Sequence, residues 1–432
     1  MFPHSIPMNL KTTSMHKYQL IGPFAQILPM TQLNLKGAIA DEALLVIKNG
    51  GILIEDDRIH SLGIFTDLLP TAKELGAPIT TLDGNDVCLP GFVDAHTHIC
   101  FGGSRANDYA MRNAGKSYLE IAKTGGGIWD TVTQTRKATQ EQLIELIIQR
   151  ANRHLENGVT TIEVKSGYGL SVNEELKMLY AIRDANQKIP ADLIATCLAA
   201  HMFPKDYLGT SNDYLKEIST ELFPKLKSEQ LCNRIDAFIE ESAYTKDDIA
   251  PYFTKAKEMG FDITVHADQF STSGSAVAIE FDAVSADHLE ASTTKEIKAL
   301  AQSNVIATAL PGASLGLGCA FTPARELLDA GGALAIASDW NPGSAPMGDL
   351  LTQAAILGTF QKLSNAEVLA GITFRAALAL NMKDRGKLEN GYLADMVTFP
   401  VHDYKEILYK QGSIKPNRVW KKGTLVMDKN HD

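Results

Sequence analysis

The chain has 432 residues, 45% of them hydrophobic and 21% charged, and a formal net charge of −10. That length is too great for one small domain and fits a barrel of about 250 residues with an accessory module; the composition leaves no room for long disordered tracts. The negative charge, with no Lys/Arg run to offset it, excludes nucleic acid and an anionic membrane as main partners, so a small anionic substrate must be met by specific local cations.

The first twenty residues lack the basic stretch and unbroken apolar run of a secretory leader, and no window reaches the roughly 18 apolar residues of a membrane span, so a cytoplasmic protein is expected. Cys88, Cys100, Cys197, Cys232 and Cys319 are scattered and include no Cys-x-x-Cys pair. They are expected to be small buried residues in a reducing compartment rather than a disulfide framework or a thiolate zinc site.

From Ala43 to Gly63 short β-branched strands are separated by Asn49-Gly50-Gly51 and by Asp56-Asp57, both read as hairpin punctuation in a small antiparallel module. After Asp86 eight apolar runs follow: VCLPGFVDAH, VTTIEVKS, ADLIATCLAAH, IDAFIEESA, FDITVHAD, DAVSADHLE, VIATALPGA and ALAIASDWN. Most are separated by helical text, the pattern of a parallel (β/α)₈ TIM barrel. Thr139 with Gln142 and Ser171 with Glu174 fit capping boxes, Pro323 a first helical turn, and Gly158 and Gly331 helix ends. From Gly386 to Pro400 the text returns to turns and strands. Residues 1–85 and 381–432 are therefore expected to build one small β-sandwich-like domain beside a barrel spanning 86–380.

His96 and His98 end the first barrel strand with the same parity, so both imidazoles face one side. Alone, a His-x-His pair more often marks ordinary strand histidines; here His266 ends the fifth strand, His288 the sixth and Asp339 the eighth, all at the catalytic end of a barrel. His96, His98, His266 and Asp339 make a nitrogen-and-oxygen site suited to one Zn²⁺ or Fe²⁺, with Fe³⁺ compatible, and a position left for water. Asp339 is expected to move the proton of that water to a departing nitrogen, and His288 to stabilise the developing oxyanion. Asp94 has the same parity and serves either to orient an imidazole or as a plain buried ion-pair partner. Glu163 and Lys165 are expected to pair inside the barrel. The long segment Ile99–Ala138, with TGGGIWD, is either a closing lid or a glycine-rich turn between short helices.

GFVDAHTHICFGGSR, the single fifth-strand histidine, SDWNPG and LENGYLADMV resemble the amidohydrolase superfamily over nearly the whole chain. Within it, THICFGGSR, EVKSGYGL, AAHMFP, HADQF and SDWNPGSAP are similar to the imidazolonepropionase family, which hydrolyses 4-imidazolone-5-propanoate to N-formimidoyl-glutamate in histidine degradation. The resemblance implies metal binding by His96, His98, His266 and Asp339, a substrate site lined by Arg105, Tyr168, His201, Asn341, Gly343 and Ser344, and a homodimer. The chemistry is compatible: Arg105 is a bidentate cation for a propionate, Tyr168 a hydroxyl donor, and His201 a rim group able to donate to ring or carboxylate. Related ring deaminases carry a proton-shuttling Glu three residues after the fifth-strand histidine, where this chain has Gln269, retained as a hydrogen-bonding contact. That disfavours the rival reading as a cytosine- or guanine-type deaminase; an intact ligand set disfavours a non-catalytic scaffold. The fourth strand offers Glu240 and Glu241 but no lysine to be carboxylated, which favours one metal while leaving a Glu bridge open.

Overall fold

The computed structural model describes residues 17–116, 120, 124–240 and 243–429. Five strands come first: β1 (Tyr18–Ile27), β2 (Ile47–Glu55), β3 (Arg58–Ile64), β4 (Ile79–Thr81) and β5 (Val87–Pro90). Eight follow in the middle of the chain: β6 (Phe92–Asp94), β7 (Val159–Lys165), β8 (Asp192–Ala200), β9 (Arg234–Ile239), β10 (Asp262–Ala267), β11 (Ser285–His288), β12 (Ile306–Ala309) and β13 (Leu334–Ile336). The chain ends on β14 (Met396–Phe399), β15 (Arg418–Lys421) and β16 (Thr424–Asp428).

Strands β6 to β13 pair in order and in parallel. The ring closes just past β6 and β13, where Asp339 N donates to His96 O at 3.0 Å and His98 N to Trp340 O at 2.9 Å. His96 and Asp339, both expected metal ligands, thus lie at the seam itself. Strands of both chain ends join in one sheet, in the order β16-β15-β14-β5-β1-β2-β3 with β4 on β1. A cluster including Ile21, Phe24, Ile52, Met396 and Trp420 packs this domain from both termini. No helix among the described residues is long and apolar enough to cross a membrane.

Three local readings are corrected. The run from Val87 to Asp94 is two strands, because the chain changes partners at Gly91. Val87–Pro90 pairs with β14, Gly91 N donates to Asp395 O, and Phe92 N already donates to Gly158 O beside β7. A Cβ at Gly91 would collide with Thr160, so the crossing requires glycine. Asn49-Gly50-Gly51 is no turn: β2 runs through it, and the hairpin turns only at Asp56-Asp57, with Asp56 at φ 55°. A Cβ at Gly50 would strike Ile27 and one at Gly51 Phe65, so these glycines admit close packing. The seventh run ends at Ala309, and Pro311 opens a helix.

The helix signals fare well. Thr139 and Gln142 form a full capping box; Ser171 accepts from Glu174 N, without a reciprocal bond; Gly158 and Gly331 follow helix ends at φ 86° and 89°. Pro323 is the residue before the helix rather than its first turn.

Charged groups tie the two domains together. Asp192, at the start of β8, meets Arg385 at 2.7 Å, Lys421 at 2.9 Å and Lys422 at 3.0 Å. Burial works against its charged form, but Lys421, Lys422 and Arg385 hold the carboxyl well below the usual carboxylate range. Asp192→Asn is expected to cost about 1.5–3 kcal/mol at neutral pH, the range for hydrogen bonds to charged groups. A depressed native pKa stabilises above the unfolded value and is lost as pH falls below about 4. Urea unfolding across pH should therefore show the wild-type advantage shrinking in acid; a pH-independent gap would assign the loss to packing.

Candidate active site

The His-x-His parity places both imidazoles at the barrel mouth. His96 Nε2 lies 3.2 Å from His98 Nε2, and His98 Nε2 lies 3.3 Å from His266 Nε2. Asp339 Oδ1 lies 3.6 Å from His96 Nε2 and 3.5 Å from His98 Nε2. All four side chains are buried. Donors held about 2.0–2.1 Å from one tetrahedral centre would stand about 3.4 Å apart, so the spacing of His96, His98 and Asp339 fits a single ion, with His266 next to His98.

Protonation agrees with that fit. His96 Nδ1 contacts Asp287 Oδ2 at 2.7 Å and His266 Nδ1 contacts Asp236 Oδ2 at 3.0 Å; each carboxylate requires the proton on Nδ1, which turns the Nε2 lone pair to the centre. Burial, then neighbouring cations and imidazoles, push His96 and His98 well below the ordinary histidine range, so both are neutral and ligand-ready. Clustered lone pairs and a carboxylate oxygen make a set that a bound cation would satisfy together. His96, His266 and His288 also lie near enough for a second grouping, but His288 Nδ1 faces Glu290 Oε1 at 3.4 Å. Burial opposes the imidazolium of His288; Glu290, Asp339 and Asp287 outweigh it and raise its pKa, which suits a donor better than a ligand. His288 and Asp339 sit at φ 86° and 50°, strained backbone that turns both side chains into the mouth.

Below the donors stands Lys165, whose Nζ is 2.8 Å from Glu163, 2.8 Å from Asp236 and 3.9 Å from Asp287. The expected Glu163–Lys165 pair is present, within a larger network. Asp236 and Asp287 were missed from sequence. The available signal was register: Asp236 pairs with Thr264, two residues before His266, and Asp287 pairs with His266 itself.

A cavity of about 770 Å³ opens over the donors and is lined by His98, Arg105, Tyr168, His201, His266, Gln269, His288, Asp339, Asn341, Gly343 and Ser344, with Phe238 and Arg112 beside them. His96 lies beneath it. The cavity therefore gathers every sequence-proposed substrate residue, although several roles change. His201 Nδ1 lies 3.0 Å from Gly167 O, so it carries the proton, and burial lowers the ring's pKa to about 3. With Nδ1 so engaged, Nε2 is the ring nitrogen left for the cavity. Asn341 spends its side chain on its own turn: Nδ2 donates to Asp339 O and Ser344 Oγ, and Oδ1 accepts from Gly343 N and Ser344 N at 2.8 Å each. A Cβ at Gly343 would collide with the Arg105 guanidinium, so that glycine makes room for the cation.

Other open readings close. Asp94 meets the backbone of His96 but not its imidazole; its Oδ1 accepts from Ser338 N at 3.0 Å and Oδ2 faces buried His154 at 3.4 Å. Glu240 Oε1 accepts from Phe270 N and Ser271 N, and Oε2 from Ser271 Oγ, so it braces the turn after Gln269 instead of bridging metals. Glu241 lies outside the described residues. Within Ile99–Ala138 the structure shows helices Ala106–Asn113 and Ile128–Lys137, the second opening at Gly127; residues 117–119 and 121–123 lie outside the description.

A profile described as "Amidohydrolase family" matches residues 111–427. Imidazolonepropionase of Acinetobacter baumannii (strain AB307-0294) is 39% identical over 386 residues, 88% of this chain and 95% of the relative. That of Bacillus cereus (strain G9842) is 38% identical over 407 residues, 93% and 95% of the two. The chain belongs to the imidazolonepropionase family. It is accordingly a hydrolase. More distant solved structures share the fold: a triazine hydrolase variant (TM-score 0.73, 15% identity, 95% of each chain) and a zinc-bound adenosine deaminase of Xanthomonas campestris (TM-score 0.69, 18% identity, 95% and 93%).

Asp287→Asn removes the charge that holds His96 while keeping the side chain's shape. It is expected to weaken metal retention about 10–100-fold, measured by competition with a chelator and metal analysis; retention equal to wild type would show that the His96 contact does not set affinity.

Proposed function

We propose that the protein hydrolyses the ring amide of 4-imidazolone-5-propanoate to N-formimidoyl-L-glutamate, the imidazolonepropionase step of histidine degradation. The observation that carries this reading is one cavity with the His96, His98 and Asp339 grouping at its base, His266 beside His98, and a guanidinium on its wall. A Zn²⁺ or Fe²⁺ ion held by His96, His98, His266 and Asp339 would supply Lewis acidity toward water and the ring carbonyl.

The chain's own groups perform the rest. Arg105 pairs with the propionate and so fixes the ring's orientation. His201 Nε2 accepts from a ring N–H. Burial raises the Tyr168 phenol, which stays protonated and donates. Gln269 offers a neutral amide contact and cannot move a proton. Water adds to the carbonyl carbon, Asp339 takes its proton, and the same proton passes to the ring nitrogen as the C–N bond breaks. His288, held against Glu290, donates to the carbonyl oxygen as charge develops there.

The test supplies metal-loaded protein with 4-imidazolone-5-propanoate and assays N-formimidoyl-glutamate and ammonia. Formimidoyl-glutamate without ammonia is expected; ammonia release would replace the reading with a deaminase. His288→Ala should lower kcat about 10²–10³-fold with KM little changed, and an enzyme retaining full kcat would remove His288 from the mechanism.

A further inference from the structure

Arg105 is held from two sides. Its Nε donates to Asp108 Oδ2 at 2.8 Å, and its terminal amino group lies where a Cβ of residue 343 would stand. Arg112 Nη2 reaches Gly343 O at 3.4 Å and braces that turn from the same helix. The same Asp108 oxygen accepts from Gly127 N at 2.8 Å. Gly127, at φ 82°, precedes the helix whose first residue, Ile128, lines the cavity. Asp108 is only 3% exposed, and the terminal nitrogens of Arg105 have no hydrogen-bond partner among the described residues.

An arginine can grip a carboxylate along its Nε edge or end-on through both terminal nitrogens. Asp108 occupies Nε, which removes the first mode and leaves the end-on edge to the ligand. We propose that Asp108 is the positioning residue of the substrate-carboxylate clamp, imposing end-on binding by Arg105 and coupling that clamp to the Gly127 turn. The inference rests on the reading of Arg105 as the propionate's partner. Its consequence is selectivity: the preference for an acid over an uncharged side chain depends on Asp108 as well as on Arg105.

The experiment compares kcat/KM for 4-imidazolone-5-propanoate and for its carboxylate-free 5-propyl analogue, using metal-loaded wild type, Asp108→Ala, Asp108→Asn, Arg105→Met and the double variant Arg105→Met/Asp108→Ala. Asp108→Ala is expected to cut the acid-over-propyl preference about 10–100-fold, with no further loss in the double variant. Asp108→Asn, which keeps an acceptor for Gly127 N, should fold if the alanine variant does not and should still lose part of the preference. Equal losses on both substrates, or additive losses in the double variant, would make Asp108 merely structural and overturn the proposal. If Arg105→Met itself leaves the preference intact, the assignment of Arg105 fails first and the inference falls with it.

Discussion

Lys165 lies wholly inside the barrel against Glu163, Asp236 and Asp287, and the geometry of the donor cluster hangs on that contact. Asp236 must stay ionised to hold the Nδ1 proton of His266, yet burial in a closed barrel favours the neutral acid. For Asp236, His266 and Lys165 overcome burial and drive the carboxyl well below its ordinary range. Lys165 gains reciprocally: burial alone would strip its proton, and Asp236, Glu163 and Asp287 raise its pKa instead. Removing one member of such a buried cluster leaves uncompensated charge, at a cost of about 3–5 kcal/mol. Donor orientation and barrel stability are therefore set by the same atoms.

The substrate side is built by a different device. Its loops leave many backbone N–H groups without strand partners, and single buried acceptors collect them. Glu175 takes Gly167, Gly169 and Leu170 N–H, shaping the turn that presents Tyr168 and the Gly167 carbonyl that fixes His201. Glu240 takes Phe270 and Ser271, and Asp268 takes Ser273 and Ser275. Asp268 also accepts from Ser292 Oγ, tying the loop after β10 to the one after β11. Asn341 repeats the pattern after β13. Four turns beside the cavity thus take their shape from one side chain each, and in the turn braced by Glu175 that shape fixes the tautomer of His201.

This division explains what was legible in the sequence. Strand order, the His-x-His parity and the strand-end positions of His266, His288 and Asp339 follow from period and spacing, so the barrel and its donors could be read directly. Partners across the barrel could not, because parity says which way Asp94 points but not whether His96 or His154 lies opposite. Asn49-Gly50-Gly51 misled because glycine marks close approach as well as turns, and only Ile27 and Phe65 in place distinguish the two. The position of His201 on the cavity was legible, but its tautomer was not, since it depends on a carbonyl thirty-four residues away in sequence. The acceptors Glu175, Glu240 and Asp268 look like ordinary acidic residues until the turns they serve are folded.

Charge balance also bears on what the donors hold. The barrel's core carries Glu163, Asp236, Asp287 and Asp339 against Lys165 and Arg234, all buried. Asp94 stands apart, facing His154 with its pKa raised to about 7 by burial. Burial raises the carboxyls of Glu163 and Asp339, while Glu290, Asp339 and Asp287 raise His288, so the charges of this core answer to one another. A cation among His96, His98 and Asp339 would favour the ionised form of Asp339 against its burial, so the electrostatics of the whole barrel core, as well as the identity of the donors, bears on what the mouth can hold.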